Sequence, residues 1–153
     1  YLHFFPAAPH LYSPSNLLRL ITGLLLGIAM GTLVYAGFNQ TAWADWRTEP
    51  VMRSPIDLLG VLVLGGIVLA AVVTENPLLL YPLALVSAMG VVILLTVVYS
   101  MIGLILRRRE NQARSWRDLV APLAFGLTLA ILQIGLFDLA RYWITGTWSG
   151  FTL

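Results

Sequence analysis

Few side chains in this sequence combine the type and the spacing that chemistry requires. Asp138 and Arg141 stand three residues apart, a helical spacing that lets a carboxylate and a guanidinium pair on one face. Arg19 and Gln133 are also set within long apolar stretches, where polar side chains are costly without partners. If the stretches carrying Arg19 and Asp138 adjoin, the carboxylate bridges Arg19 and Arg141. The plainer alternative is an ordinary interfacial ion pair. Gln133 is uncharged and both donates and accepts, so it reads as an interhelical hydrogen bond in preference to a ligand. Asp57, close behind Ser54 and Pro55, reads as a helix cap.

The clearest motif is structural. Gly23, Gly27 and Gly31 recur at four-residue spacing and put a groove without side chains on one helix face. In lipid such a groove permits close backbone approach and dense van der Waals contact. One reading is a docking face for another subunit. The other, favoured here, is packing inside the chain, with Gly60, Gly65 and Gly66 as the partners. Ala84, Ala88, Thr96, Ser100 and Gly103 make a weaker small-residue pattern further on.

Several chemistries lack their residues. No carboxylate stands in the middle of an apolar stretch, so a proton relay has nothing to run through. There is no nucleophile–base pair, phosphate loop or metal-ligand cluster. The absence of cysteine excludes disulfides, thiolate-bound metals and thiol catalysis within this sequence. The two histidines, His3 and His10, precede the first apolar stretch, so haem ligation by histidines within helices is excluded. No cofactor and no catalytic residue is expected. The segment 1–6, rich in aromatics, reads as interfacial, and Trp43, Trp46, Trp116, Trp143 and Trp148 fall where an aromatic belt belongs.

The elements that position these residues follow from composition. Of 153 residues, 59% are hydrophobic and 10% charged, against about 25% charged in a soluble domain. The net charge of +2, from arginine alone on the basic side, is too small for a nucleic-acid surface. Apolar stretches over 17–38, 56–73, 78–106 and 119–144 approach or exceed the roughly 20 residues that cross a membrane. The expectation is an all-α bundle of four transmembrane helices, about 15–38, 55–73, 77–107 and 116–144, forming one membrane domain over 1–153. Ser54-Pro55-Ile56-Asp57 and Ser115-Trp116-Arg117-Asp118 fit capping boxes, and Asn76-Pro77 opens the third helix in a similar way. Pro82 and Pro122 sit within the first turns of their helices.

Orientation follows from arginine. Arg47 and Arg53 lie in the link between the first two helices; Arg107, Arg108, Arg109, Arg114 and Arg117 lie in or beside the link between the last two. The positive-inside bias puts both links in the cytoplasm and both termini outside. A first helix entering from outside with no cleavable signal implies a further span upstream of Tyr1, so the sequence reads as the C-terminal part of a longer product.

The run from Leu11 to Gly23 resembles a segment of an uncharacterised family of bacterial multipass membrane proteins. Its members carry Asn-x-x-Arg-x-x-Thr-Gly before and within a glycine-rich helix. The matching residues are Asn16, Arg19, Thr22 and Gly23, and the resemblance covers about residues 1–40. It implies a multi-pass protein of the bacterial inner membrane. The family's upstream cysteine-rich motif is absent, so thiol or metal chemistry has no residue here to carry it.

Strong packing signals without intramembrane chemistry lead to one expectation. The chain is a non-catalytic scaffold or accessory subunit of a larger membrane complex, with respiratory and photosynthetic assemblies as examples. Its partners are then the bilayer, other membrane subunits and bound lipids or pigments, with no nucleic acid. Two alternatives stand beside it. One is a small oligomeric transporter or channel lined by Gln133, Asp138 and Arg141; the other is a protein whose chemistry lies upstream of Tyr1.

Overall fold

The computed structural model describes residues 15–46 and 48–148. Four helices account for most of them: α1 (Asn16–Ala42), α2 (Pro55–Val73), α3 (Pro77–Leu106) and α4 (Trp116–Thr145). Each is long and apolar enough to cross a membrane, and the described residues contain no strand beyond one isolated bridge. At 1.5 Å of rise per residue, α2 spans about 28 Å and α3 and α4 about 45 Å each, against a hydrocarbon core of about 30 Å. The architecture is that of an all-α, multi-pass membrane protein.

Local chemistry starts each helix. The Ser15 hydroxyl accepts from the Leu18 amide at 3.2 Å, and the Asn76 side chain accepts from the Leu78 amide at 3.0 Å. At α2 the Ser54 hydroxyl accepts from the Ile56 amide, while the Asp57 carboxylate accepts from the Ser54 and Arg53 amides, each at 3.0 Å. Asp118 does the same for Ser115 and Arg114 at the head of α4. These contacts satisfy amides that have no partner within their own helix.

The helix ends depend less on local sequence. α1 runs to Ala42, four residues beyond the expected end at 38, because Asn39-Gln40-Thr41-Ala42 continues the helical hydrogen bonding. It stops where Trp43 turns extended, with φ −87° and ψ 137°. α3 ends with Arg108 in the left-handed region at φ 52°. The Arg108 amide donates to the Ile105 carbonyl at 3.0 Å and the Arg109 amide to Leu104 at 2.9 Å. That is a Schellman closure with an arginine where glycine is usual. Gly146, at φ 69°, ends α4 in the expected residue type.

α3 touches all three other helices, and its contact with α4 is the most extensive. The α3–α4 crossing is made by small residues. A Cβ at Gly126 would lie 2.2 Å from the Thr96 carbonyl oxygen, and one at Gly103 would lie 2.9 Å from the Phe125 ring. Ser100 is fully buried between them, its hydroxyl 2.6 Å from the Thr96 carbonyl oxygen and 3.0 Å from that of Pro122. The buried apolar cluster of Ala42, Leu104, Ala113 and Leu119 lies at one end, beneath the two long links. Toward the short α2–α3 turn, large side chains such as Leu78, Tyr81, Leu85, Leu136 and Phe137 face outward. The bundle is packed at one end and open at the other.

Candidate functional site

The packed end is closed by backbone. The last carbonyls of α1 lack intrahelical partners, and the α3–α4 link supplies them. The Asn111 amide donates to the Thr41 carbonyl at 2.9 Å and the Ala113 amide to Ala42 at 3.1 Å. The Ala44 amide returns a bond to Ala113 at 2.9 Å. Asn111 reaches this position through a left-handed φ of 57°. The Trp43 and Trp116 rings meet edge to face across this clasp, with centroids 5.1 Å apart and planes at 84°. The two long links therefore share one end of the bundle.

Two cavities flank the clasp. The larger, about 440 Å³, is lined by Tyr35, Trp43 and Trp116 together with Asp45, Glu49 and Arg53. Glu49 and Arg53 form an ion pair. The smaller, about 280 Å³, lies between the end of α3 and the start of α4 and includes Arg107, Arg109 and Gln112 in its lining.

The polar residues picked out in the sequence do not form one cluster. Gln133 accepts a hydrogen bond from the Tyr99 hydroxyl, which ties α4 to α3. Asp138 pairs with Arg141 at 3.3 Å, with both side chains about half exposed. Arg141 also donates to the Trp148 carbonyl at 3.0 Å. Arg19 stands elsewhere, in a groove between α1 and α2 lined by Gly23, Leu24, Val68 and Val72. Of the two arrangements the sequence leaves open for Asp138, the bridge to Arg19 is not formed, and the carboxylate makes the plainer pair with Arg141. The physical reason is packing order: the extensive contacts of α1 and α4 are each with α3, not with one another.

The glycine motif behaves in a second unexpected way. A Cβ at Gly23, Gly27 or Gly31 would meet no atom within 4 Å. Of the glycines expected opposite, Gly60 and Gly66 are equally open, while Gly65 takes the Leu24 side chain, whose nearest atom would lie 3.0 Å from a Cβ there. Packing of Gly23, Gly27 and Gly31 within the chain is therefore not what the structure contains. The weaker pattern on α3, Thr96-Ser100-Gly103, is the one that receives a helix. Sequence reasoning also missed Tyr99, although a phenol in an otherwise apolar run next to Ser100 signals a buried polar partner.

Asn16, Arg19 and Thr22 lie at three-residue intervals along the first turns of α1, and the Thr22 hydroxyl approaches the carbonyls of Leu18 and Arg19 at 2.9 and 3.1 Å. No group of three or more His, Cys, Asp or Glu side chains suited to a metal occurs among the described residues. His3, His10 and the aromatic segment 1–6 lie outside those residues. No protein-family model, curated protein or solved structure matches the chain.

Proposed function

We propose that this protein is a non-catalytic membrane subunit whose α1 face at Gly23, Gly27 and Gly31 receives a transmembrane helix of another subunit in a larger complex. One observation carries the reading: Gly65, Gly103 and Gly126 are filled by neighbours, whereas Gly23, Gly27 and Gly31 stand open at successive turns of one helix face, an alignment that the other open helical glycines, Gly60, Gly66, Gly90 and Gly135, do not make. Exposed leucine costs nothing in lipid, so outward apolar surface alone says little. Glycine is different, because it weakens a helix by about 0.5–1 kcal/mol relative to alanine, and repeated at successive turns it allows a second helix to approach backbone to backbone. In this reading the clasp end, with Arg53, Arg107, Arg108, Arg109, Arg114 and Arg117 in or beside its links, faces the cytoplasm under the positive-inside bias. The membrane is the bacterial inner membrane, as the resemblance at Asn16, Arg19, Thr22 and Gly23 implies.

The test is purification of the full chain from its native membrane in mild detergent. The wild type is expected to bring a second membrane subunit with it. Gly27→Leu is expected to lose that subunit while keeping wild-type helicity and unfolding midpoint. A wild-type chain that runs alone, or a Gly27→Leu chain that keeps its partner, overturns the proposal.

A further inference from the structure

The geometry points to the cavity between the end of α3 and the head of α4 as a binding site for the phosphate of an anionic phospholipid. Its volume is about 280 Å³, and its lining combines Arg107, Arg109, Gln112 and Asp118 with apolar side chains such as Leu104 and Leu119. Two cations and apolar side chains in one lining fit an amphiphile with an anionic head.

Neither arginine has its charge consumed inside the fold. Among the described residues, the ion pairs are Arg53–Glu49 and Arg141–Asp138, and Arg107 and Arg109 belong to neither. Cations at a helix C-terminus often go to its last carbonyls. Here the Leu104 and Ile105 carbonyls already accept from the Arg109 and Arg108 amides. The carboxylate in the lining, Asp118, accepts the Arg114 and Ser115 amides and the Ser115 hydroxyl on one oxygen, at 2.9–3.1 Å. The guanidinium of Arg107 lies over the Phe125 ring, 5.2 Å from its centroid, and a guanidinium held on an aromatic face keeps its N–H donors for oxyanions.

The backbone explains why these two arginines act together. The left-handed turn at Arg108 reverses the chain, so that Arg107 and Arg109 line one cavity and Arg108 does not. Gly103, one turn before Arg107, lets the Phe125 ring press against α3. That ring is the platform on which Arg107 rests.

The experiment uses the purified full chain in neutral detergent at physiological ionic strength, titrated with short-chain phosphatidylglycerol, phosphatidylcholine or inorganic phosphate, with bound lipid counted by native mass spectrometry. Phosphatidylglycerol is expected to bind more than about tenfold tighter than phosphatidylcholine, and Arg107→Gln/Arg109→Gln to abolish that preference. Arg109→Gln alone, which leaves the Arg107–Phe125 stack in place, is expected to lose part of it with unchanged helicity. The equal-charge control Arg108→Gln/Arg117→Gln is expected to keep the preference, because neither of those side chains lines the cavity. A control that loses as much as the site variant would reduce the effect to general surface charge and overturn the proposal. So would a site variant that still prefers phosphatidylglycerol, or inorganic phosphate that displaces the lipid at equal concentration. Gly27→Leu is expected to leave lipid binding intact, which separates this site from the subunit face on α1.

Discussion

Substituting Gly126 with alanine tests whether α3 and α4 are held by backbone contact. The added Cβ would lie 2.2 Å from the Thr96 carbonyl oxygen, 2.3 Å from the Ser100 hydroxyl and 2.9 Å from the Ser100 amide nitrogen. A comfortable C···O approach is about 3.3 Å, so the helices must part locally by about 1 Å. The carbonyl of Thr96 cannot swing aside as a flexible side chain would. Parting moves the Ser100 hydroxyl, now 3.0 Å from the Pro122 carbonyl, out of hydrogen-bonding range. Overpacking costs about 1–3 kcal/mol, and an interhelical hydrogen bond in a membrane protein contributes about 0.6 kcal/mol. Alanine returns about 0.5–1 kcal/mol of helix propensity. The net expectation is a loss of about 2 kcal/mol. Reversible unfolding in mixed micelles, followed by far-ultraviolet circular dichroism across a denaturing-detergent titration, measures it. Gly27→Ala is the control: with no atom within 4 Å of its Cβ, its midpoint should stay level or rise. A Gly126→Ala chain as stable as wild type would refute the close crossing, and equal losses at both positions would refute the contrast between filled and open glycines.

Two further outcomes follow from the contacts. The Trp43–Trp116 edge-to-face contact should appear as a coupling of about 0.5–1.5 kcal/mol in a double-mutant cycle to alanine, and Trp116→Ala should speed proteolysis of the link at 44–54. Additive unfolding shifts would show instead that the rings do not help to close the clasp. Arg19→Gln and Asp138→Asn should be additive within about 0.3–0.5 kcal/mol, because Asp138 pairs with Arg141 and not with Arg19. A larger coupling would restore the three-membered bridge.

What was legible in the sequence was whatever local chemistry determines. Ser54-Pro55-Ile56-Asp57 announces the start of α2 because the cap and the amides it satisfies lie within four residues of one another. The end of α1 was not legible, since the donors to Thr41 and Ala42 come from Asn111 and Ala113, far along the chain. Gln133 could be read as an interhelical bond from its chemistry, whereas Tyr99 as its partner required the register of α3 on α4. The two glycine patterns show the limit most clearly. Gly23-Gly27-Gly31 is the stronger motif, yet Thr96-Ser100-Gly103 receives α4. In water an apolar stripe against a polar one tells which face turns inward. When every face of a helix is apolar, that cue is gone, and small residues mark where a helix can be approached without saying by which neighbour.

The asymmetry of the bundle follows from what the two ends must satisfy. At the end of α1 the chain leaves the helix, and the last carbonyls there have no partner within the helix itself. The clasp of Asn111, Ala113 and Ala44 on the last turn of α1 provides those partners, and the buried cluster of Ala42, Leu104, Ala113 and Leu119 forms around it. At the opposite end α2 passes into α3 through Glu75, in a left-handed turn at φ 53°, and Asn76. Four backbone bonds and one cap close that turn: the Thr74 amide donates to Ala70, the Glu75 amide to Val72, the Leu79 and Leu80 amides to Asn76, and the Leu78 amide to the Asn76 side chain. No further helix need be drawn in to complete it. The helices there lose nothing by standing apart, because lipid solvates leucine as well as another helix does. The fold is thus held from the clasp end, and the face of α1 that carries Gly23, Gly27 and Gly31, which no neighbour fills, can be covered without disturbing that end.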